Sequence, residues 1–203
     1  MSFENIIYLI KIQNEMKIYI IDNGGQWTHR EWRTVRDLGV DSTIVPNTVD
    51  ADVLADADGI ILSGGPASIE SEMSKLGNIK EYMHRYNYPV LGICVGAQFI
   101  AIDSGGRVSK ALHAEYGKKI VNFTSKDGIF YNVPDSINAW ENHNDEIKSI
   151  SDDYIICAYS DTCRVQAFYH KNRDIFGVQF HPEVNNTEHG TTIFKNFIEK
   201  CRR

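Results

Sequence analysis

The feature that most constrains the fold of this chain is residues 89–98, where an apolar run leads into the pattern Gly92-x-Cys94-x-Gly96. The apolar run predicts a short buried strand, and the small apolar residues that follow predict a helix to about Asp103. Glycines two positions before and two after a central residue permit a tight strand-to-helix turn with close neighbours. Such a turn places the Cys94 side chain at the exposed end of a sheet.

The chemistry that this turn predicts is that of a cysteine nucleophile. The unpaired N–H groups and the dipole at a helix N-terminus favour the thiolate of Cys94. The backbone N–H of Val95 would face any oxyanion formed there. The other interpretation is a buried structural thiol, because free cysteines are among the most buried residue types. Taken alone, the turn leaves both interpretations open.

The segments before this turn indicate an α/β fold with a parallel, doubly wound sheet. Short apolar runs alternate with helical segments, and this spacing is typical of parallel strands joined by right-handed crossovers. The strands are expected at residues 17–21, 42–46 and 59–62, and the helices at residues 26–38, 51–57 and 70–86.

Residues 63–66, Ser-Gly-Gly-Pro, follow the third of these strands. In open parallel sheets ligands bind beyond the carboxyl ends of the strands. Glycine lets a backbone N–H approach a substrate without a Cβ in the way. An ordinary turn is the alternative, but the position one crossover before Cys94 makes Gly65 a candidate second oxyanion donor.

The second half of the chain predicts further β structure and one closing helix with an apolar packing face. The strands are expected at residues 107–123, with a break near residues 115–117, and at residues 154–159, 164–170 and 175–180; the helix is expected at residues 191–200.

The strand predicted at residues 175–180 is followed by His181, Pro182 and Glu183. In an extended chain, residues i and i+2 face the same side, so the histidine and the glutamate point toward one site. A histidine beside a thiol is the base that activates it, and a carboxylate orients the imidazole. The alternative is a surface histidine and a surface glutamate at the end of a strand.

Composition bounds the class of protein. The 203 residues suffice for one domain with a substantial core, and the net charge of −6 gives no general attraction to nucleic acid or to an anionic membrane. No apolar run approaches the roughly 20 residues that span a bilayer. The four cysteines form no CxxC pair and no metal-ligand spacing, so we expect reduced thiols, a cytoplasmic protein and no metal site.

Residues 16–203 are expected to form a single domain, and residues 1–15 a leader that need not belong to the fold. Met16 is followed at once by a β-rich run, so it is either the biological start or preceded by a short extra strand or helix. The helix expected at residues 26–38 is rich in aromatic and basic groups. We favour a solvated helix face with two buried indoles, Trp27 and Trp32, over a ligand site.

Three stretches, residues 64–66, 92–98 and 181–183, together resemble the class I (triad) glutamine amidotransferases in residue type, order and separation. The resemblance covers essentially all of residues 16–203. It implies a flavodoxin-like fold with a largely parallel central sheet, helices on both faces and a small antiparallel β portion.

The resemblance also implies roles for individual residues. Cys94 attacks the side-chain amide carbon of glutamine, His181 transfers the proton, Glu183 holds His181, and the backbone N–H groups of Gly65 and Val95 form the oxyanion hole. Gln98, one helical turn after the nucleophile, matches a family position that contacts the substrate. The loop that is expected to hold the amino-acid end of glutamine contains Asn142, His143 and Asn144.

Within that family the closest resemblance is to the glutaminase portions of GMP synthases, and residues 21–26, 140–146 and 177–184 carry it. Because the chain ends soon after the triad, it resembles the separate amidotransferase chain of archaeal GMP synthases. The resemblance implies a partner ATP-pyrophosphatase subunit that uses the ammonia to convert xanthosine monophosphate (XMP) to GMP. The chain has no phosphate-binding loop, so no cofactor is expected in it, and ATP and Mg²⁺ are used by the partner.

Three other functions remain open at this stage. They are the amidotransferase subunit of anthranilate or aminodeoxychorismate synthase, a non-catalytic regulatory subunit of the same fold, and a stand-alone cysteine hydrolase. Conspicuous polar or aromatic groups near the strand ends are the candidates for a docking face, namely Trp27, His29, Arg30 and Asp145.

Overall fold

The computed structural model describes residues 16–202, so the expected leader at residues 1–15 lies outside the described residues. Within that range one sheet of nine strands forms, in the order β2-β1-β3-β4-β9-β8-β7-β5-β6. The strands are β1 (Lys17–Asp22), β2 (Asp41–Pro46), β3 (Gly59–Leu62), β4 (Val90–Ile93), β5 (Arg107–Phe123), β6 (Ser136–Ser149), β7 (Tyr154–Tyr159), β8 (Ala167–His170) and β9 (Ile175–Val178).

Five α-helices and three short 3-10 segments join these strands in the described chain. None of the helices within residues 16–202 has the length and apolar character needed to cross a membrane. The helices are α1 (Thr28–Asp37), α2 (Ile69–Glu72), α3 (Ile79–Arg85), α4 (Val95–Asp103) and α5 (Gly190–Cys201), and the 3-10 segments are Ala51–Leu54, Met73–Leu76 and Gly128–Phe130.

Five neighbouring strands, from β2 to β9 in the sheet order, are parallel, as the alternation of strands and helices predicts. Every residue of β3, β4 and β9 is buried, because helices cover both faces of the parallel strands. Their register aligns Leu62 with Gly92, and Ile93 with Val178. The residues that follow these strands therefore meet at one edge of the sheet, and Cys94 is among them.

The antiparallel part of the sheet is larger than the small portion expected from the resemblance. It comprises β5, β6, β7 and β8, and the pairing of β8 with β9 joins it to the parallel part. The break expected near residues 115–117 is not found there, because these residues pair regularly with β6. The irregularity in this pairing lies between Lys110 and Glu115, and β5 continues through it. Residues 142–144, expected in a loop, lie on β6, because this hairpin extends much further than its polar sequence indicates.

The single helix expected at residues 70–86 is divided into α2, a 3-10 segment and α3. Gly77 interrupts it with a φ of +57°, and a Cβ there would lie 2.3 Å from the Asn47 carbonyl oxygen. That carbonyl accepts the N–H of Asn78, and the Asn47 side chain donates to the Lys75 carbonyl. The helix thus ends early because contacts with the segment after β2 replace its own hydrogen bonds.

Gly96→Ala is expected to lower the free energy of unfolding by about 3 kcal/mol, the upper end for overpacking of a core. The added Cβ would lie 2.2 Å from the Leu62 carbonyl oxygen in the central strand β3. Urea unfolding measures the effect. The control is Gly105→Ala, where no atom lies within 4 Å of the new methyl group and only the φ of +88° is unfavourable. Equal losses in the two variants would contradict the steric explanation.

Candidate active site

Cys94 occupies the turn between β4 and α4 with a φ of 49° and a ψ of −106°. Such a backbone conformation is costly for any residue other than glycine. A Cβ on Gly92 would lie 2.7 Å from the backbone of Gly96, and a Cβ on Gly96 would meet Leu62. The two glycines of the pattern are thus steric requirements. The tight strand-to-helix turn predicted from the sequence is confirmed, and its backbone strain at Cys94 is a finding of the structure.

His181 and Glu183 are paired, but not by the geometry expected. Strand β9 ends at Val178, and the Val184 N–H donates to the His181 carbonyl oxygen at 3.3 Å, which closes a turn. The extended i, i+2 geometry was therefore wrong, because the chain turns at Pro182. Across this turn Nδ1 of His181 and Oε1 of Glu183 lie 2.8 Å apart.

The other nitrogen of the imidazole, Nε2, is buried and has no hydrogen-bond partner among residues 16–202. Burial acts to lower the pKa of His181, but the field of Glu183 and interactions with Cys94 and Glu183 outweigh it and raise the pKa well above its ordinary value. An imidazole in this state readily accepts a proton at Nε2, on the side opposite its carboxylate partner.

Two cavities meet at the cysteine, and Gly65, Pro66, Cys94 and Asn142 line both. The first, here called the catalytic cavity, has a volume of about 270 Å³ and extends to His181. The second, here called the outer cavity, has a volume of about 320 Å³ and reaches β6. A ligand that fills the outer cavity can therefore present one end to the sulfur.

Both predicted oxyanion donors, Gly65 and Val95, line the outer cavity together with Cys94. Val95 is the first residue of α4, so its N–H has no acceptor within the helix. Gly65 lines both cavities, and a Cβ there would lie 2.5 Å from the Asn23 carbonyl oxygen. The close backbone approach explains why glycine occupies this position.

Gln179 belongs to the site, although the sequence analysis assigned it no role. Its Nε2 donates to Sγ of Cys94 at 3.6 Å, and its Oε1 accepts from Nε2 of Gln98 at 3.2 Å. Gln98 also donates to the Asp145 carbonyl at 2.8 Å. The amide of Gln98 is thus engaged by protein atoms and orients Gln179. The feature of the sequence that could have indicated this role is the position of Gln179 directly after β9.

The three predicted substrate-binding residues that lie on β6, Asn142, His143 and Asn144, are divided between two faces, because side chains alternate along a strand. Asn142 and Asn144 are exposed, and the hydroxyl of Tyr116 donates to Asn144. The imidazole of His143 is 1% exposed, with Nε2 3.1 Å from a carboxylate oxygen of Glu115 and 3.3 Å from one of Glu141. Two of the three side chains therefore face outward, and His143 is part of the interior.

Glu115 and His143 form a buried ion pair. Burial acts against both charges, but hydrogen bonds from His143, Ser160 and Thr162 lower the pKa of Glu115 to about 2. The two neighbouring glutamates raise the pKa of His143 to about 10. The chain at residues 160–166 folds around Glu115, which explains why β8 begins at Ala167 and not at residue 164.

Cys163 brings a thiol to this ion pair, and the three potential ligand atoms of Glu115, His143 and Cys163 lie within 4.8 Å of one another. The sequence spacing did not indicate this juxtaposition. Burial raises the pKa of the thiol, and its sulfur donates to the Val165 carbonyl at 3.5 Å. Within this cluster, the negative charge of Glu115 and the positive charge of His143 therefore compensate each other.

The place of Trp27 also differs from the prediction. It is half-buried, lines the catalytic cavity and meets the His181 ring edge-on, with 4.4 Å between the ring centroids. Trp32 is also half-buried and donates from Nε1 to the Ser42 carbonyl. The prediction of two buried indoles away from a site was therefore wrong, because Trp27 precedes α1 and lines the catalytic cavity.

Comparisons with known proteins agree on one family. The model of the family described as glutamine amidotransferase class-I matches residues 19–201. A Picrophilus torridus protein named as a glutamine-hydrolyzing GMP synthase subunit is 99% identical over 188 residues, which are 93% of this chain and 100% of that protein. A Thermoplasma volcanium protein of the same name is 54% identical over 188 residues, 93% of each chain.

Solved structures support the same fold. A Thermoplasma acidophilum protein assigned to the same kind of GMP synthase chain has a TM-score of 0.89 at 54% identity, covering 93% of this chain and 94% of that one. A Thermotoga maritima glutamine amidotransferase has a TM-score of 0.72 at 20% identity, covering 92% and 82%. The second likeness concerns the fold alone.

Glu115→Gln is expected to lower the free energy of unfolding by about 3–5 kcal/mol at neutral pH, because it removes the closer of the two carboxylates that face the buried His143 cation. Urea unfolding of wild type and variant measures the difference. Glu70→Gln, on an exposed position of α2, is the control for loss of one negative charge and is expected to change little.

The pH dependence of that difference tests the charge states. The contribution of Glu115 is present above its ordinary pKa of 4.5 and is lost as the pH falls toward 2. The contribution of His143 is present below 6.5 and is lost as the pH rises toward 10. The stability difference is therefore expected to be largest between these windows, and a constant difference from acid to alkaline pH would contradict the ion pair.

Proposed function

Because this chain belongs to the class I glutamine amidotransferases, we propose that it hydrolyses glutamine through a thioester on Cys94 and is the glutaminase subunit of a GMP synthase. The observation that carries this proposal is the arrangement of Cys94, His181 and Glu183 at one edge of the sheet. The nucleophile stands on a strained turn, the base lies beside it with Nε2 unbonded, and the carboxylate holds Nδ1.

The reaction begins with proton transfer from the thiol of Cys94 to Nε2 of His181. Sγ then attacks the side-chain amide carbon of glutamine and forms a tetrahedral intermediate. The Gln179 amide, which donates to Sγ, favours the thiolate, and Glu183 stabilises the imidazolium. The edge-on Trp27 ring restricts the imidazole to this orientation.

The intermediate carries a negative oxygen that the N–H groups of Gly65 and Val95 stabilise, each worth about 3–4 kcal/mol in hydrolases of this kind. The His181 imidazolium gives its proton to the departing nitrogen, the C–N bond breaks, and ammonia leaves the glutamyl thioester. Water, deprotonated by the now neutral His181, attacks the thioester carbonyl. Glutamate is released, and the proton returns to Cys94.

The outer cavity is the place for the amino-acid end of glutamine. Asn142 and Asn144 offer exposed amide groups there, whereas Gln98 acts through Gln179, and His143 orders β6 from inside. We therefore assign direct substrate contacts to the two asparagines, and positioning roles to Gln98 and His143.

A partner chain is implied by the names of the similar proteins, each of which is called one subunit of a GMP synthase. We propose that this partner is an ATP-pyrophosphatase subunit that uses ATP, Mg²⁺ and the ammonia to convert XMP to GMP. This chain then needs no cofactor of its own, and the pair works in the cytoplasm. The names of the similar proteins refer to GMP synthesis, so they favour XMP over chorismate as the compound that accepts the ammonia. The candidate docking residues are Trp27, His29, Arg30 and Asp145.

The first experiment is ammonia release from glutamine by the chain alone and with the partner subunit, ATP, Mg²⁺ and XMP. We expect weak release by the chain alone and a strong rise with the loaded partner, because uncoupled hydrolysis wastes glutamine. Cys94→Ala is expected to abolish release in both conditions. Cys157→Ala removes a buried thiol outside both cavities and is the control. Equal turnover with and without the loaded partner would count against coupling.

Glu183→Gln is expected to lower kcat by about 10²–10⁴-fold with little change in KM, because the carboxylate acts on the base and not on bound glutamine. Because Glu183 raises the pKa of His181, the pKa of this imidazole, followed by NMR, should fall in the variant. Glu199→Gln, on the exposed end of α5, is the control. An unchanged imidazole pKa would contradict the assigned role.

A further inference from the structure

Glu31 is a buried carboxyl group that the mechanism above does not use. It lies in the first turn of α1, is 1% exposed and lines the catalytic cavity with Trp27, His181 and Glu183. Its Oε2 is fully buried and has no hydrogen-bond partner in the described chain. A glutamate in this setting is not explained by packing alone, since Lys, Glu, Arg and Asp are almost never fully buried without a partner.

A second unpartnered oxygen lines the same cavity. Glu183 uses Oε1 to hold His181, and its Oε2 is buried without a partner in the described residues. Two ionised carboxylates that share one closed site repel each other, so one of them keeps its proton. A single proton on Glu31 removes the repulsion and provides a donor for the free oxygen of Glu183.

The charges that face Glu31 support this distribution. Burial raises its pKa most, followed by the charge of Glu183; His181 and the Gly64 backbone N–H lower the pKa, and Asp22 raises it. The net pKa lies well above its ordinary value. His181 and Glu183 follow β9, Gly64 follows β3, and Asp22 ends β1.

We propose that Glu31 is a positioning residue that remains a neutral carboxylic acid and donates a hydrogen bond to the free oxygen of Glu183. The proposal rests on the proposed glutaminase function. The bond fixes Glu183 in the orientation that serves His181. It also keeps one negative charge opposite one imidazolium, whereas an ionised Glu31 would hold the proton on His181 and oppose its transfer to the leaving nitrogen.

The activity test compares E31Q, E31A and the control D37N in ammonia release by the complex with the loaded partner. We expect E31A to lose about tenfold to a hundredfold in kcat with little change in KM. E31Q should restore most of this loss, because its amide can donate to Glu183 and accept from Gly64. Asp37 is exposed and pairs with Arg36, so D37N should match the wild type. Wild-type kcat should also fall at alkaline pH, and E31Q should lack that step.

Two measurements test the proton without using the reaction. The infrared spectrum of wild type at neutral pH should contain the carbonyl stretch of a protonated carboxyl group, and E31Q should lack it. The stability of wild type relative to E31Q should decrease as the pH rises above 4.5, the ordinary pKa, because the folded state then holds a proton that the unfolded state releases.

The possible outcomes distinguish a failure of this proposal from a failure of the proposed function. Absence of ammonia release in every variant would refute the glutaminase, while the infrared and unfolding measurements would still decide the charge of Glu31. A missing protonated band, or a wild type that gains stability over E31Q with rising pH, would overturn the neutral carboxyl. Full activity of E31A would overturn the positioning role even if the proton is present.

Discussion

The backbone conformation of Cys94 is the constraint on which the rest of the site depends. A φ of 49° is unfavourable for cysteine and costs of order 1–3 kcal/mol, so the surroundings must enforce it. Strand β4 lies between β3 and β9, and the Cys94 N–H donates to the Val178 carbonyl at 2.8 Å. Gly92 and Gly96 remove the atoms that would prevent the turn. Three fully buried strands thus hold the turn that carries the nucleophile.

A polar chain connects this turn to the antiparallel half of the sheet. From Cys94 it runs through Gln179 and Gln98 to the Asp145 carbonyl on β6. His143 contacts the same carbonyl at 3.0 Å, and the carboxylate of Asp145 accepts from Ser68 at 2.6 Å. The long hairpin of β5 and β6 is therefore connected to the active site by hydrogen bonds. It supports the sulfur from one side and forms the wall of the outer cavity.

The buried glutamates show that the surroundings of a carboxyl group can shift its pKa in either direction. Glu115 receives several hydrogen bonds, and its pKa falls to about 2. Glu141 and Glu31 lack comparable donors, and burial raises the pKa of each. Oε1 of Glu183 lies 2.8 Å from Nδ1 of His181. A neutral Glu31, as proposed, limits the negative charge around the nucleophile, which itself becomes an anion during the proposed reaction.

Features that depend on neighbouring residues could be predicted from the sequence, whereas those that depend on distant segments could not. The apolar runs predicted the parallel strands, because buried strands need continuous apolar side chains. The Gly-x-Cys-x-Gly spacing predicted the tight turn, since the pattern that permits it lies within five residues. The residue types, order and separation of three stretches, residues 64–66, 92–98 and 181–183, were sufficient to indicate thiol chemistry and the family. By contrast, the donation from Gln179 to Cys94, the burial of His143 and the place of Glu31 in the cavity arise from packing between segments far apart in the chain. Hydrogen bonds and desolvation depend on which groups meet in space. The pattern of residues along the chain does not contain that information when the partners are far apart in sequence.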